Sequence, residues 1–205
     1  MLKDFSKLEK KYAARIDAVD LGSKNNWQSL STDYSEWKSL KLPEVWIRTE
    51  LKQRFGIVWV TKTIYLFAKE LEDTLVLNLG QIDNEDMTYF NGKLIGQLKK
   101  SDLNRIYAVP RELLRVGINR ITVRTKNPRD IGGFRSSPKD LYYQTSRGKQ
   151  SLVGQWNYKV GTPNIDIPPE RVHLKYLPSP YIMPCFIRFL ITMFEARYGI
   201  KGNLI

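Results

Sequence analysis

The chain has 205 residues, 42% of them hydrophobic and 12% aromatic, which is enough for one domain with a real core and too apolar for disorder. Its single cysteine, Cys185, excludes an internal disulfide and a cysteine-built metal site, and nothing in the sequence calls for a cofactor. The net charge is +12, concentrated between Lys99 and Lys149, where 13 Lys and Arg face 4 Asp and Glu.

Most of those cations sit singly on alternating positions, as at Arg120, Arg124 and Lys126. That spacing predicts a solvated sheet face rather than a polyanion site, so nucleic acid is not an expected partner.

Residues 1–20 place Leu2, Phe5, Leu8, Tyr12, Ile16 and Val19 at steps of three and four. The spacing predicts an amphipathic helix of about five turns, with Gly22 as its C-terminal stop. This start has no apolar leader core, which points either to a cytoplasmic protein or to a chain that begins inside a longer gene product. No run reaches the roughly 18 apolar residues that a membrane span needs. Residues 181–194 come nearest, and Arg188 interrupts them.

Residues 23–55 read as a polar connection carrying Trp27, Trp37 and Trp46, broken at Pro43. These tryptophans are either a sugar platform or plugs at the end of a sandwich, and packing is the favoured role. From 56 to 126, short apolar runs at 56–67, 73–79, 86–90, 93–97, 105–109 and 118–126 alternate with turn signals. Such spacing predicts an antiparallel sandwich rather than alternating βα units, with Trp59 buried. Within it, Asn91-Gly92 accepts the positive φ of a two-residue type I′ turn, so residues 86–97 should form a tight hairpin. Pro110 to Leu114 should form one helical turn, and residues 127–133 a loop. Strands that close the sandwich are expected at 141–143 and 151–160, the latter carrying Trp156. A Pro-rich linker follows, and then an apolar helix at about 181–197.

The block Leu75-Val76-Leu77-Asn78-Leu79-Gly80, then Ile82-Asp83-Asn84-Glu85-Asp86, then Thr88-Tyr89-Phe90-Asn91-Gly92-Lys93-Leu94-Ile95-Gly96 resembles the jelly-roll domain of sialate O-acetylesterases. That domain is in turn similar to the sugar-binding domain of glycoside hydrolase family 2. Residues 55–66, 105–110, 113–124 and the Leu152-x-Gly154-x-Trp156-x-Tyr158 run extend the resemblance over roughly 40–160.

It implies a mainly β, galactose-binding-like antiparallel jelly roll with flanking N- and C-terminal helices. Residues 1–40 would be helix and connection, 41–162 the sandwich, and 163–205 a linker and helix left from a hydrolase domain. The parent family hydrolyses O-acetyl esters on sialic acids and is often secreted, periplasmic or lysosomal. Its hydrolase domain would be the partner, in cis or from a neighbouring reading frame, and carbohydrate a further one. The flanks depart from the family pattern, which leads to the expectation of a truncated gene product.

The family's Gly-Asp-Ser and Asp-x-x-His motifs are missing from the chain. The single histidine, His173, follows Glu170-Arg171-Val172 and has no serine partner by motif, so no catalytic residue is assigned. Asp83, Glu85 and Asp86 cluster closely enough to suggest Ca²⁺ or acid–base chemistry. They lack the calcium-loop pattern, and a hydrogen-bonded structural loop is the favoured reading. The sequence therefore predicts a non-catalytic, carbohydrate-associated sandwich, or alternatively a stand-alone module that binds sugar or an acidic partner.

Overall fold

Asn91 and Gly92 take φ of 49° and 83°, the left-handed pair that a type I′ turn requires. They join β4 (Glu85–Phe90) to β5 (Lys93–Leu98), the expected hairpin. This is a computed structural model that describes residues 14–52, 56–72, 74–128 and 131–162. The helix expected at 181–197, the Pro-rich linker, His173, Cys185 and the first part of the N-terminal stripe lie outside the described residues.

Eight more strands complete the sandwich: β1 (Lys38–Leu42), β2 (Gly56–Leu66), β3 (Leu75–Gln81), β6 (Asn104–Val109), β7 (Gly117–Asn127), β8 (Tyr142–Thr145), β9 (Gly148–Ser151) and β10 (Gly154–Val160). They form a six-stranded sheet ordered β1-β10-β2-β7-β4-β5 and a four-stranded sheet ordered β6-β3-β8-β9. Every pairing is antiparallel, so the protein is a mainly β, jelly-roll sandwich. β1 and β9 fall where the sequence suggested only connection, because their runs are short and mostly polar. β1 is held through its pairing with β10, and the alternation of a two-residue period buries only Leu40 and Leu42.

Alternation also assigns the two faces of β2 and β7. Val58, Val60, Ile64 and Leu66, with Ile121 and Val123, point inward. There they meet Leu75, Leu77, Leu79, Val109 and Tyr143 from the smaller sheet in a single core. Trp46, Phe134 and Trp156 pack at one end of this core, with the Phe134 ring centroid 6.2 Å from each tryptophan. Gly132 makes this possible, since a Cβ there would lie 2.3 Å from Trp46 Cδ1.

Ile57, Trp59, Arg124 and Lys126, which point outward from the same strands, are not solvated, and this corrects the expectation for the basic face. Residues 14–37 cross the outside of the six-stranded sheet and cover Ile57, Trp59, Arg124 and Lys126. Ile16, Trp27 and Trp37 pack with Ile57 and Trp59 in a second apolar cluster. In the described part of the N-terminal segment, helix is present up to residue 18, within the expected range. It stops before Asp20, and Asp20 caps a new short helix, Leu21–Lys24. Gly22 is therefore not a helix stop. It lies inside that short helix, and only glycine fits there because a Cβ would fall 2.1 Å from Trp59 Nε1.

Candidate functional site

The five tryptophans are all buried and do not form a platform. Trp27, Trp37 and Trp59 make an edge-to-face cluster beneath the N-terminal segment, with centroids 5.3 and 6.2 Å apart along the chain of contacts. Tyr89 stacks on Trp59 at 5.9 Å, and Lys159 Nζ stands 5.3 Å from the Trp27 ring. Trp46 and Trp156 lie inside the sandwich. Of the three tryptophans expected to plug the sandwich, Trp46 does so, packing with Phe134 and Trp156, while Trp27 and Trp37 instead cover a sheet face.

The acidic trio is dispersed as well. Asp83 Oδ2 accepts from Gly132 N at 2.8 Å, and Asp83 N donates to Gly133 O at 2.8 Å, so this side chain pins the 131–133 loop. Asp86 points inward from β4. It accepts from Arg105 Nε at 2.9 Å, Tyr107 Oη at 2.9 Å and Thr88 Oγ1 at 2.8 Å. Arg105 is fully buried and also donates to Leu103 O and Asn84 O, which uses all three guanidinium nitrogens. Burial pushes the Asp86 carboxyl above its ordinary value, against the pull of the three donors. Burial and the neighbouring Asp86 charge raise Tyr107 in the same way. Glu85 faces the opposite side of the sheet, 3.9 Å from Lys99 Nζ and 4.0 Å from Lys126 Nζ. Successive strand residues point to opposite faces, so Glu85 and Asp86 cannot share a ligand. Among the described residues no group of His, Cys, Asp and Glu is arranged to hold a metal ion.

A charged cluster that the sequence did not single out lies on that outer face. The fully buried carboxylate of Asp20 accepts four hydrogen bonds: Gly22 N at 3.0 Å, Ser23 Oγ at 2.7 Å, Trp59 Nε1 at 3.0 Å and Arg124 Nε at 2.7 Å. Asp17, one turn earlier, bridges Arg124 Nη2 and Lys126 Nζ at 2.6 Å each. Burial opposes ionisation of Asp17, but the Lys126 and Arg124 donors outweigh it and hold the carboxyl below its ordinary value. Arg124 is likewise disfavoured by burial and carried above its ordinary value by Asp20 and Asp17. Arg120 stacks 4.1 Å from the Tyr34 ring and donates to Leu30 O. The cations expected in solvent are thus used internally to hold the N-terminal segment.

Two depressions open to solvent. One, of about 350 Å³, follows β1 beside Ser39, Lys41, Glu44 and Arg48. The other, of about 220 Å³, lies on the outer face of the six-stranded sheet where the N-terminal segment meets β4 and β5. A separate apolar patch is formed by Tyr65, Phe67, Val116 and Ile118, all exposed, with the two aromatic centroids 5.2 Å apart. No helix of the described residues is long and apolar enough to cross a membrane.

No known family profile matches the chain, and no curated protein matches it. Among solved structures it is similar to a beta-glucuronidase from an uncultured Clostridium species, with a TM-score of 0.47 and 20% identity over 66% of this chain and 25% of that one. A beta-glucuronidase from Ruminococcus gnavus gives a TM-score of 0.47 and 16% identity over 68% of this chain and 26% of that one. A beta-D-mannosidase from Dictyoglomus thermophilum gives 0.32 and 27% identity over 35% of this chain and 9% of that one. The chain spans about a quarter of the length of these glucuronidases and about a tenth of the mannosidase.

Proposed function

We propose that this chain is a non-catalytic, carbohydrate-associated β-sandwich of the type inserted in sialate O-acetylesterases. The observation that carries the reading is the block from Leu75 to Gly96. Its residues resemble that family's jelly roll, and they form β3, the Asp83 clamp on Gly132 and the Asn91-Gly92 hairpin in one continuous unit. In this reading the deacetylation of sialic acids belongs to a hydrolase domain, in cis or from a neighbouring reading frame. The sandwich supports or orients that site without containing it.

The residues available here agree with an accessory role. Asp83 and Asp86 are committed to structural hydrogen bonds, and the sequence holds one histidine and no Gly-Asp-Ser motif. A serine hydrolase needs a base that takes the hydroxyl proton, and no serine–imidazole pair is supplied by motif. The alternative of a stand-alone module for an acidic partner loses its main cations, since Arg124 and Lys126 are neutralised by Asp17 and Asp20.

The test is to assay the purified chain on O-acetylated sialic acid and 4-nitrophenyl acetate, alone and with the hydrolase segments supplied. The expected result is no hydrolysis by the chain alone, no effect of His173→Ala, and activity once the hydrolase segments are present. Hydrolysis by the chain alone that His173→Ala abolishes would overturn the reading.

A further inference from the structure

The 220 Å³ depression on the outer sheet face is a built hollow rather than a gap between loops. Asp17 and Ser23 of the N-terminal segment form one wall, and β4 from Glu85 to Met87, Gln97 of β5, the following Lys99 and Arg124 of β7 form the rest. Register explains why they meet. Met87 pairs with Gln97 on one side and with Arg124 on the other, so the three side chains lie in one row across β5, β4 and β7. The N-terminal segment then closes that row at Arg124, where Asp17 and Asp20 are bound.

We propose that this depression is a binding subsite for a single neutral sugar ring. The inference rests on the carbohydrate-associated reading above and names where, and to what class of sugar, the sandwich binds. Three features of the hollow carry it, beginning with size. At about 220 Å³ it falls below the roughly 300–1,000 Å³ of pockets that enclose larger ligands, so it suits one small ring and not an enclosed oligosaccharide.

The second feature is unspent hydrogen-bonding capacity. The exposed Gln97 amide has no partner among the described residues. Lys99 Nζ approaches Glu85 Oε2 only at 3.9 Å, too far for a good hydrogen bond. A pyranose presents neighbouring hydroxyls that each donate and accept. A carboxylate, an ammonium and a primary amide around one hollow match that pattern, and Met87 between them offers apolar surface to the ring's C–H face.

Charge decides the class. Asp17, Asp20 and Glu85 are balanced by Arg124, Lys126 and Lys99, while Asp86 faces inward onto Arg105. A balanced site gains nothing from a net anion. A sugar carboxylate would also stand close to Glu85 and Asp17, and like charges at short range are unfavourable.

The experiment titrates the full chain with methyl β-D-galactopyranoside, methyl β-D-glucopyranoside and methyl β-D-glucuronide, observed by saturation-transfer NMR. Gln97→Ala, Lys99→Ala and the double variant are compared, and their near-UV circular dichroism checks that the tryptophan cluster is intact. Neutral glycosides should bind, the glucuronide should bind more weakly, and each single variant should lose about tenfold in affinity, as expected for one hydrogen bond to a charged or strongly polar group. Neutral-sugar binding that survives in the double variant overturns this site and leaves the carbohydrate reading standing. Preference for the glucuronide overturns the assigned ligand class. Failure of wild-type protein to bind any of the three overturns the subsite. Binding of larger glycans in that last case would separate its failure from that of the broader reading.

Discussion

Arg124 Nε lies 2.7 Å from Asp20 Oδ2, across 104 residues of sequence, and this contact ties the N-terminal segment to the sheet. Asp20 is fully buried and Arg124 nearly so, and the same carboxylate also accepts the Trp59 indole N–H. A buried pair of this kind contributes little beyond a well-packed apolar substitute, but losing one member strands the other. Asp20→Ala should cost about 3 kcal/mol, the lower end for such a pair, because Asp17 still holds Arg124 Nη2. Urea unfolding would measure the loss, and limited proteolysis within residues 14–37 should become faster.

Arg105 and Asp86 are the equivalent pair between the sheets, joining β6 to β4 at 2.9 Å with both side chains fully buried. Asp86→Ala should destabilise by about 3–5 kcal/mol, since it leaves the guanidinium unpaired in the core. The double replacement Asp86→Leu with Arg105→Met should recover most of that loss. A double-mutant cycle would show a coupling well above the roughly 0.5 kcal/mol expected of independent sites.

Gly92 sits at φ 83°, and a Cβ there would lie 3.3 Å from Gln28 O of the N-terminal segment. Gly92→Val should cost about 1 kcal/mol or more, because a β-branched residue resists positive φ and the backbone opposite must also yield. Gly92→Asn should be milder, since Asn tolerates the left-handed region. Thermal denaturation of the two variants would separate conformational strain from crowding.

Acid should loosen the N-terminal segment before the sandwich. Asp17 ionises more readily in the folded protein than in the unfolded chain, so its contribution is fully present above the unfolded value of about 3.9 and is lost as pH falls through the lower folded value. Asp86 has the opposite sign. Its folded value is raised, so proton uptake at this carboxyl does not by itself oppose folding as pH falls. Tryptophan fluorescence, dominated in this region by Trp27, Trp37 and Trp59, should change at a higher pH than amide protection in β2 and β7. Simultaneous loss of both signals would contradict this order.

Local physical chemistry made much of the sandwich legible from sequence. Asn91-Gly92 can turn tightly with little strain, and the alternating runs from 56 to 126 can bury one face only as strands. The observed β2, β3, β4, β5, β6 and β7 lie within about two residues of those runs. β1 and β9 escaped notice because short polar strands carry no pattern of their own and exist through a paired neighbour. The outer sheet face escaped for a different reason. Alternation divides Trp59, Arg124 and Lys126 from Val58 and Val123, but it does not say whether the outward set meets water or protein. That depended on strand register, which placed Trp59 beside Arg124 and Arg124 beside Met87, and on residues 14–37 crossing that row. Asp17 and Asp20 are one helical turn apart and read locally as ordinary surface acids. Their role follows only from cations more than 100 residues away, because ion pairing depends on distance in space, which sequence spacing does not encode.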